Sequence, residues 1–361
     1  MTKRRFQTLF TLFCLLLLFL FPAASFEGAK RGLLLWFNIV LPTLLPFLIF
    51  SNLCVQLNIT KTFSVFLYPV LKHIMPISPN GCYPIAIGML SGYPMGAKAC
   101  ADMTASGKIS PTEGQFLLSF CNNASPMFLL NYLFLQSLHI TKHLPIFMGI
   151  MLGSSLLCGY IYLLFHPFKQ SQLHSTSISK KTPALPKKNY LKNEIKKTNK
   201  KEASAATTNS EASSICIPSV TSSNNNSAVT PNTNPTYFQI LDQSIMNGFE
   251  VITKIGGYII LFSLLANLIC SYVPFSELIN AVLIGILEIT TGIQYLSDSS
   301  LAFPVKLMLA TALSAFGGLS SVAQTGSVLL HSPLKLSTYV IYKLLNSMLC
   351  LLGISAYLYL I

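Results

Sequence analysis

Long apolar segments dominate the 361-residue chain and limit the folds that it can adopt. Hydrophobic residues make up 52% of the sequence and charged residues only 10%, well below the charged share of an ordinary soluble domain. Several apolar runs are long enough to cross a bilayer as a helix. Because lipid offers no hydrogen bonds to an open backbone, the sequence predicts an all-α, multi-pass membrane protein.

The apolar segments fall into two groups. They predict about eight membrane segments, counting broken or re-entrant helices, at residues 9–21, 33–57, 116–138, 144–165, 251–273, 278–296, 301–330 and 336–361. Pro42 and Pro46 are placed to kink the second of these segments. Residues 61–108 contain Pro or Gly every few positions, so they cannot form one continuous helix.

A polar stretch, rich first in Lys and then in Ser, Thr and Asn, separates the two groups. Such a composition cannot bury enough apolar surface to offset the entropy of ordering, which predicts a disordered linker. The predicted organisation is an N-terminal membrane segment at 1–31, a first repeat at 32–168, the linker at 169–235 and a second repeat at 236–361.

Positive charge is concentrated in the linker and at the N-terminus. The positive-inside rule therefore predicts that both are cytoplasmic. The apolar run after Lys3, Arg4 and Arg5 reads either as a signal peptide or, the favoured interpretation, as a retained span. Nucleic-acid binding is not expected, because the basic stretch lies between membrane segments and contains a single aromatic residue, Tyr190.

The two halves share a spaced pattern of small and polar residues. Residues 90–96, 110–111 and 122–123 are echoed by residues 313–318, 332–333 and 346. With a cytoplasmic linker the two repeats would start on opposite sides of the membrane, which predicts an inverted-topology repeat. In transporters, this arrangement places the solute site at the repeat interface, where broken helices line a cavity.

Polar residues within apolar surroundings are the candidate solute ligands of the first repeat. Gly92, Pro94 and Gly96 predict a backbone that departs from helix, and Lys98 follows them. This set reads either as a cradle for an anionic or polar ligand or as a tight turn with a snorkelling lysine. The second set is Asn122, Asn123 and Ser125, which would either bind solute or hydrogen-bond neighbouring helices.

The most conspicuous candidate of the second repeat is Glu288, an acid deep in an apolar segment. It would bind a cation, exchange a proton, or pair with Lys254 or Lys306. Further polar or glycine positions are expected to line the site beside it: Thr290, Thr291, Gly317, Gly318, Ser320, Gln324 and Asn346.

Catalytic and metal-binding patterns are not recognisable in the sequence. His139 and His143 have a helical spacing, but no third ligand of Cys, Asp or Glu type lies nearby. We therefore expect a protein that is not an enzyme, with no catalytic residues, no bound metal and no cofactor.

Six short motifs carry a resemblance to a known family. They are residues 25–27, 41–47, 91–98, 119–123, 288–292 and 314–320. With them, the chain resembles the sporulation integral membrane proteins of the YlbJ type, whose halves are similar to Gate, or nucleoside-recognition, domains. Where such proteins often have Ser-Gly-Pro after the paired asparagines, this sequence has Ala124, Ser125 and Pro126.

The resemblance implies a multi-pass protein of the cell membrane in a sporulating bacterium, with a role in spore cortex formation or spore maturation. The leading expectation is a transporter-like protein that binds or moves a small polar solute between its repeats. The alternative is a membrane scaffold that transports nothing and recruits cortex-assembly proteins. The expected partners are the lipid bilayer, a small polar solute and other sporulation membrane proteins.

Overall fold

The structure, a computed structural model, describes residues 3–57, 59–167, 236–272 and 275–360, and within them it is helical without a β-strand. This confirms the predicted all-α fold class. The helices of the first half are α1 (Lys3–Leu20), α2 (Pro22–Leu35), α3 (Leu41–Gln56), α4 (Thr60–Ile74), α5 (Cys82–Ser91), α6 (Met95–Ala105), α7 (Pro111–Cys121) and α8 (Leu144–Phe165). Those of the second half are α9 (Tyr237–Tyr272), α10 (Glu277–Leu287), α11 (Ile289–Asp298), α12 (Phe303–Phe316), α13 (Gly318–Leu329) and α14 (Leu336–Leu360).

Five helical stretches in the described part of the chain are long and apolar enough to cross a membrane. They are Pro22–Cys54, Leu144–Phe165, Tyr237–Tyr272, Phe303–Leu329 and Leu336–Leu360. Their outward faces carry large exposed apolar side chains, among them Leu164 and Leu352, as a lipid-facing surface requires. The predicted linker at 169–235 lies outside the described residues.

The first long stretch starts earlier than the sequence predicted. The expected span at 33–57 is the second part of a helix that begins at Pro22, so the predicted boundary at residue 31 falls inside α2. Its backbone becomes π-helical over Trp36–Val40, immediately before Pro42. Proline has no N–H to donate, which interrupts the regular hydrogen-bond ladder at this position.

Helices α2 and α9 pack closely because α2 has glycine where they touch. A Cβ on Gly28 or Gly32 would come within 2.9 Å of the α9 backbone, at Leu264 and Ile260 respectively. Further along, the Trp36 indole donates a hydrogen bond of 3.0 Å to the carbonyl of Ile252. These contacts hold the first long helix of one half against the first long helix of the other.

Two helical hairpins are the most distinctive elements of the fold. In hairpin 1, the chain turns at residues 92–94 after α5, and α6 packs back along α5. In hairpin 2, α10 turns at Glu288 and packs back along α11. In each hairpin the two helices come into close contact at a pair of glycines, Gly88 with Gly96 in hairpin 1 and Gly285 with Gly292 in hairpin 2. Segment 278–296 is therefore a hairpin rather than the single hydrophobic segment that the sequence predicted.

Two further helices are interrupted near their centres. Residues 122–125, called break 1, separate α7 from the π-helical segment Phe128–Ser137. Gly317, which separates α12 from α13, and Gly318, the first residue of α13, are called break 2, and both have the positive φ that favours glycine. Break 1 divides the predicted apolar segment at 116–138, because Asn122 leaves the helical conformation and Pro126 cannot donate to the preceding turn.

Apart from α1 and α4 of the first half, the halves show the same order of described elements: a long helix, a hairpin, a broken helix and a final long helix. In this order hairpin 1 corresponds to hairpin 2, and break 1 to break 2. The sequence pattern instead matched residues 90–96, the hairpin 1 tip, with residues 313–318 at break 2. The two matched segments thus lie in a hairpin tip and in a helix break, and the repeat alignment remains a prediction.

Candidate functional site

The two hairpin tips and the two breaks meet at one point. The backbone N–H of Tyr93 in hairpin 1 donates to the Asn123 carbonyl in break 1 at 2.7 Å. In the second half, a Cβ on Gly318 would lie 3.2 Å from the Gly285 carbonyl of hairpin 2. The halves also cross: the Tyr132 hydroxyl, after break 1, donates to the Thr290 carbonyl of hairpin 2 at 2.7 Å.

A small cavity lies where these four elements meet. Its volume is about 30 Å³, and we call it the central cavity. Both hairpin tips, both breaks and the long helices α3 and α9 contribute to its wall. Its polar lining residues include Ser91, Tyr93, Ser125, Glu288, Thr290, Ser320, Ser321 and Gln324.

Glu288 caps the second helix of hairpin 2 from inside this cavity wall. Its side chain is 1% exposed. One carboxylate oxygen, Oε2, accepts from the Thr290 hydroxyl at 2.5 Å, the Thr291 hydroxyl at 2.8 Å and the Thr291 backbone N–H at 2.7 Å. Thr291 also bonds Ser263 on α9 at 2.6 Å. The carboxylate is thus fixed in position by neutral donors.

Neither lysine that the sequence offered as a partner pairs with Glu288. Lys254 forms an exposed ion pair with Glu250 at 2.5 Å, and Lys306 donates to the Ser297 carbonyl at 2.9 Å. The other ion pair in the described part of the chain joins Lys98 to Asp102 at 2.8 Å. The cation-binding and proton-exchange interpretations of Glu288 remain.

Two other polar atoms of the cavity wall have no hydrogen-bond partner in the protein. They are the hydroxyl of Ser91, which is 2% exposed, and the Oε1 oxygen of Gln324, which is 4% exposed. A buried polar atom without a partner costs free energy, so such atoms in native proteins usually face water, an ion or a ligand. This part of the wall is suited to holding a polar ligand.

Break 1, by contrast, is fully engaged with the protein. Asn122 accepts from the Ala97 backbone N–H at 3.1 Å and donates to the hydroxyls of Thr325 and Tyr339, both at 3.0 Å. It therefore connects α6, α7, α13 and α14. Asn123 donates to Ser155 of α8 at 2.7 Å. These contacts favour the helix-to-helix interpretation for both asparagines.

Lys343 is a site residue that the sequence analysis missed. It lies on α14, is 1% exposed, and donates to the Asn122 carbonyl at 3.3 Å and the Asn123 Oδ1 at 3.0 Å. The ammonium therefore stands at the C-terminal end of α7, where the helix dipole favours a positive charge. A lysine within the apolar run 336–361 carried the same signal that identified Glu288.

Lys343→Ala is expected to lower the free energy of unfolding by about 3 kcal/mol, from lost hydrogen bonds and the cavity left behind. Methylammonium should bind in that space and raise the melting temperature of this variant, measured on purified protein in detergent. Lys343→Met fills the space and should not respond, nor should the wild-type protein. Equal effects of methylammonium on all three proteins would contradict a specific ammonium site.

The face of α14 that carries Lys343 reaches break 2 as well. Asn346 accepts from the Ser154 hydroxyl at 2.9 Å and donates to the Ala315 carbonyl at 3.3 Å, near the end of α12. The Ser347 hydroxyl donates to the Ala312 carbonyl at 2.7 Å. One helix face thus satisfies backbone carbonyls at both breaks.

Two larger cavities lie along α9. One, of about 580 Å³, is lined by Asn247, Glu250, Lys254 and Tyr258 of α9. The other, of about 490 Å³, is lined by Ala266, Asn267, Cys270 and Ser271 of the same helix. The α9 residues of the central cavity are Ile255, which also lines the 580 Å³ cavity, and Ile259, which lies between the two sets. Gln324 borders the central and 580 Å³ cavities, and Thr291 borders the 490 Å³ cavity.

Some of the predicted site residues lie together at the central cavity, and the others lie elsewhere in the structure. Six predicted residues line the central cavity: Ser125, Glu288, Thr290, Gly317, Ser320 and Gln324. Pro94 and Lys98 line the 580 Å³ cavity, and Thr291 the 490 Å³ cavity. The other six hold backbone turns or helix contacts: Gly92, Gly96, Asn122, Asn123, Gly318 and Asn346. No group of three His, Cys, Asp or Glu side chains suited to a metal occurs among the described residues.

The chain is similar to the sporulation integral membrane protein YlbJ of Bacillus subtilis (strain 168), with 26% identity over 348 residues, covering 90% of this chain and 75% of that protein. No family model and no solved structure matches the chain. The similarity, together with the long apolar helices, supports an integral membrane protein of sporulation, the family that the sequence motifs resemble.

Proposed function

We propose that the protein is required for spore cortex formation or spore maturation, and that it binds or moves a small polar solute at the interface of its two repeats. It has no enzymatic role in this proposal. The observation that carries it is the convergence of both hairpin tips and both breaks on the central cavity. Broken helices that surround a cavity near the membrane midplane are typical of transporters.

The three cavities along α9 support movement of a solute as well as binding. A solute would enter one large cavity, pass the Glu288 and Gln324 side chains, and leave through the other. At about 30 Å³ the central cavity admits water but no larger solute, so this structure corresponds to a closed path. Passage would then require the hairpin tips to separate from the breaks.

The repeated order of elements supports an inverted repeat of two Gate-like halves. In the proposed topology the N-terminus and the linker face the cytoplasm, in the cell membrane of a sporulating bacterium. The 580 Å³ and 490 Å³ cavities would then open to opposite sides. Impermeant thiol reagents should label Ser327→Cys and Ser271→Cys, which lie at these cavities, from opposite faces in a cysteine-free background.

Glu288→Gln and Gln324→Ala should each sharply lower the yield of heat-resistant spores, when expressed in an endospore-former that lacks the native gene. The reason is that Glu288→Gln removes the ionisable group and Gln324→Ala removes the amide from the central cavity wall, while the helices stay intact. Asp242→Asn, a change at an exposed position of α9, is the matched control and should sporulate normally. Protein levels are checked by immunoblot of the membrane fraction.

Normal sporulation of both cavity variants at normal protein levels would contradict the solute site. That result would favour the alternative, a scaffold that recruits cortex-assembly proteins. Labelling of both cysteine positions from the same face would contradict the inverted repeat independently of sporulation.

A further inference from the structure

The central cavity has the size of an ion or a water molecule. Its volume of about 30 Å³ exceeds the roughly 10–15 Å³ that one water needs, but it is far below the several hundred Å³ of a typical small-molecule pocket. The occupant of the cavity in this closed state is therefore a single small species. Its identity depends on the charge and the atoms of the wall.

The wall contains one buried carboxyl group that has no cationic partner among the described residues. Glu288 accepts hydrogen bonds from Thr290 and Thr291, and neither ion pair of the described residues involves it. The titratable side chains that face it are the phenols of Tyr93 and Tyr132. A lone carboxylate in a membrane core is costly, and one monovalent cation would neutralise it. A divalent ion would leave an excess positive charge.

The side-chain atoms of the wall that could serve as cation ligands are oxygens. The Ser91 hydroxyl and the Gln324 Oε1 have no partner in the protein, and both line the same cavity. The hydroxyls of Ser320 and Ser321 belong to the same wall. Hard cations prefer oxygen ligands, whereas transition metals prefer nitrogen or sulfur. The chemistry of the wall therefore matches an alkali-metal cation.

We propose that the central cavity is a binding site for one Na⁺ ion, held by the Glu288 carboxylate, the Ser91 hydroxyl and the Gln324 amide oxygen. Ser91 lies at the tip of hairpin 1, Glu288 at the tip of hairpin 2, and Gln324 follows break 2. A bound cation would join the two hairpins across the repeat interface and favour the closed arrangement. Cation binding does not require the proposed solute transport, so either can fail without the other.

Purified full-length protein in detergent should be stabilised by NaCl relative to choline chloride at equal ionic strength. At Na⁺ concentrations about a hundredfold above Kd, the melting temperature should rise by roughly 5 °C. Glu288→Gln should abolish this rise, and Ser91→Ala or Gln324→Leu should weaken the apparent Kd by about tenfold, the effect of losing one ligand interaction of about 1.4 kcal/mol. Glu113→Gln is the matched control and should keep the full Na⁺ response. Glu113 is another fully buried acid, but it lies near the start of α7, at the end of the helix away from break 1.

Three outcomes would overturn the site. The first is the absence of any Na⁺-dependent stabilisation of the wild-type protein. The second is an undiminished response in Glu288→Gln. The third is stabilisation by acid alone, which would show that a proton neutralises Glu288. If Glu288→Gln does not fold, direct ²²Na⁺ binding to the wild-type protein and to Ser91→Ala decides the question.

Discussion

Gly88→Ala is expected to destabilise the protein by about 3 kcal/mol or more, because the added methyl group would overlap a neighbouring backbone. A Cβ on Gly88 would run into the Cys121 carbonyl oxygen and would lie 3.2 Å from the Cα of Gly96. Both neighbours are backbone, so no side chain can move aside. Hairpin 1 would have to separate from α7, which is measurable as a fall in melting temperature or a loss of monodisperse protein.

Gly149→Ala provides the matched control. Gly149 lies in α8, and a Cβ there would meet nothing within 4 Å. Alanine has a higher helix propensity than glycine, so this variant should be as stable as the wild-type protein or slightly more so. Equal stability of Gly88→Ala and Gly149→Ala would contradict the close packing of hairpin 1 against α7.

Asn122→Leu is expected to destabilise the protein by about 3 kcal/mol, because three hydrogen bonds disappear together. The Ala97 N–H would lose its Asn122 acceptor, and the hydroxyls of Thr325 and Tyr339 would lose the amide donor. The four helices that meet at break 1 would then lose the side chain that joins them, while the Lys343 contacts to the Asn122 carbonyl and Asn123 remain. Thermal unfolding of the purified protein measures the change.

Asn280→Leu makes the same substitution at a position with little hydrogen bonding. Its Nδ2 bonds the Phe275 carbonyl at a long 3.4 Å, and its Oδ1 has no partner. Removing that buried, unpaired oxygen should leave stability unchanged or improve it slightly. If the two leucine variants melted at the same temperature, the bridging role of Asn122 would be wrong.

The amino-acid pattern was sufficient for the fold class and for the long helices. Apolar runs such as 144–165 and 336–361 have one structural solution in lipid, and the structure has helices there. The pattern was insufficient for segment 278–296, because a hairpin and a single hydrophobic segment can share one apolar composition. The close approach of Gly285 and Gly292 decides between them, and that contact is tertiary.

The site residues that the sequence could predict are charged side chains within apolar segments, because burying such a side chain in lipid costs free energy. Glu288 stood out for that reason, and Lys343 would have stood out by the same rule. Partners were not predictable, because Glu288 binds neutral donors from its own helix turn rather than either lysine. Likewise Asn122 was recognisable as an intramembrane amide, but its three partners lie on α6, α13 and α14.

The shared polar face of α14 means that the two halves of the molecule cannot rearrange independently. Lys343 holds break 1 and Asn346 holds break 2, and the two residues lie one helical turn apart on a rigid rod. A rotation of α14 that releases one break must disturb the other. The loss of unfolding free energy in the double variant should therefore differ from the sum of the losses in the two single variants. Helix α14 thus couples the two breaks energetically.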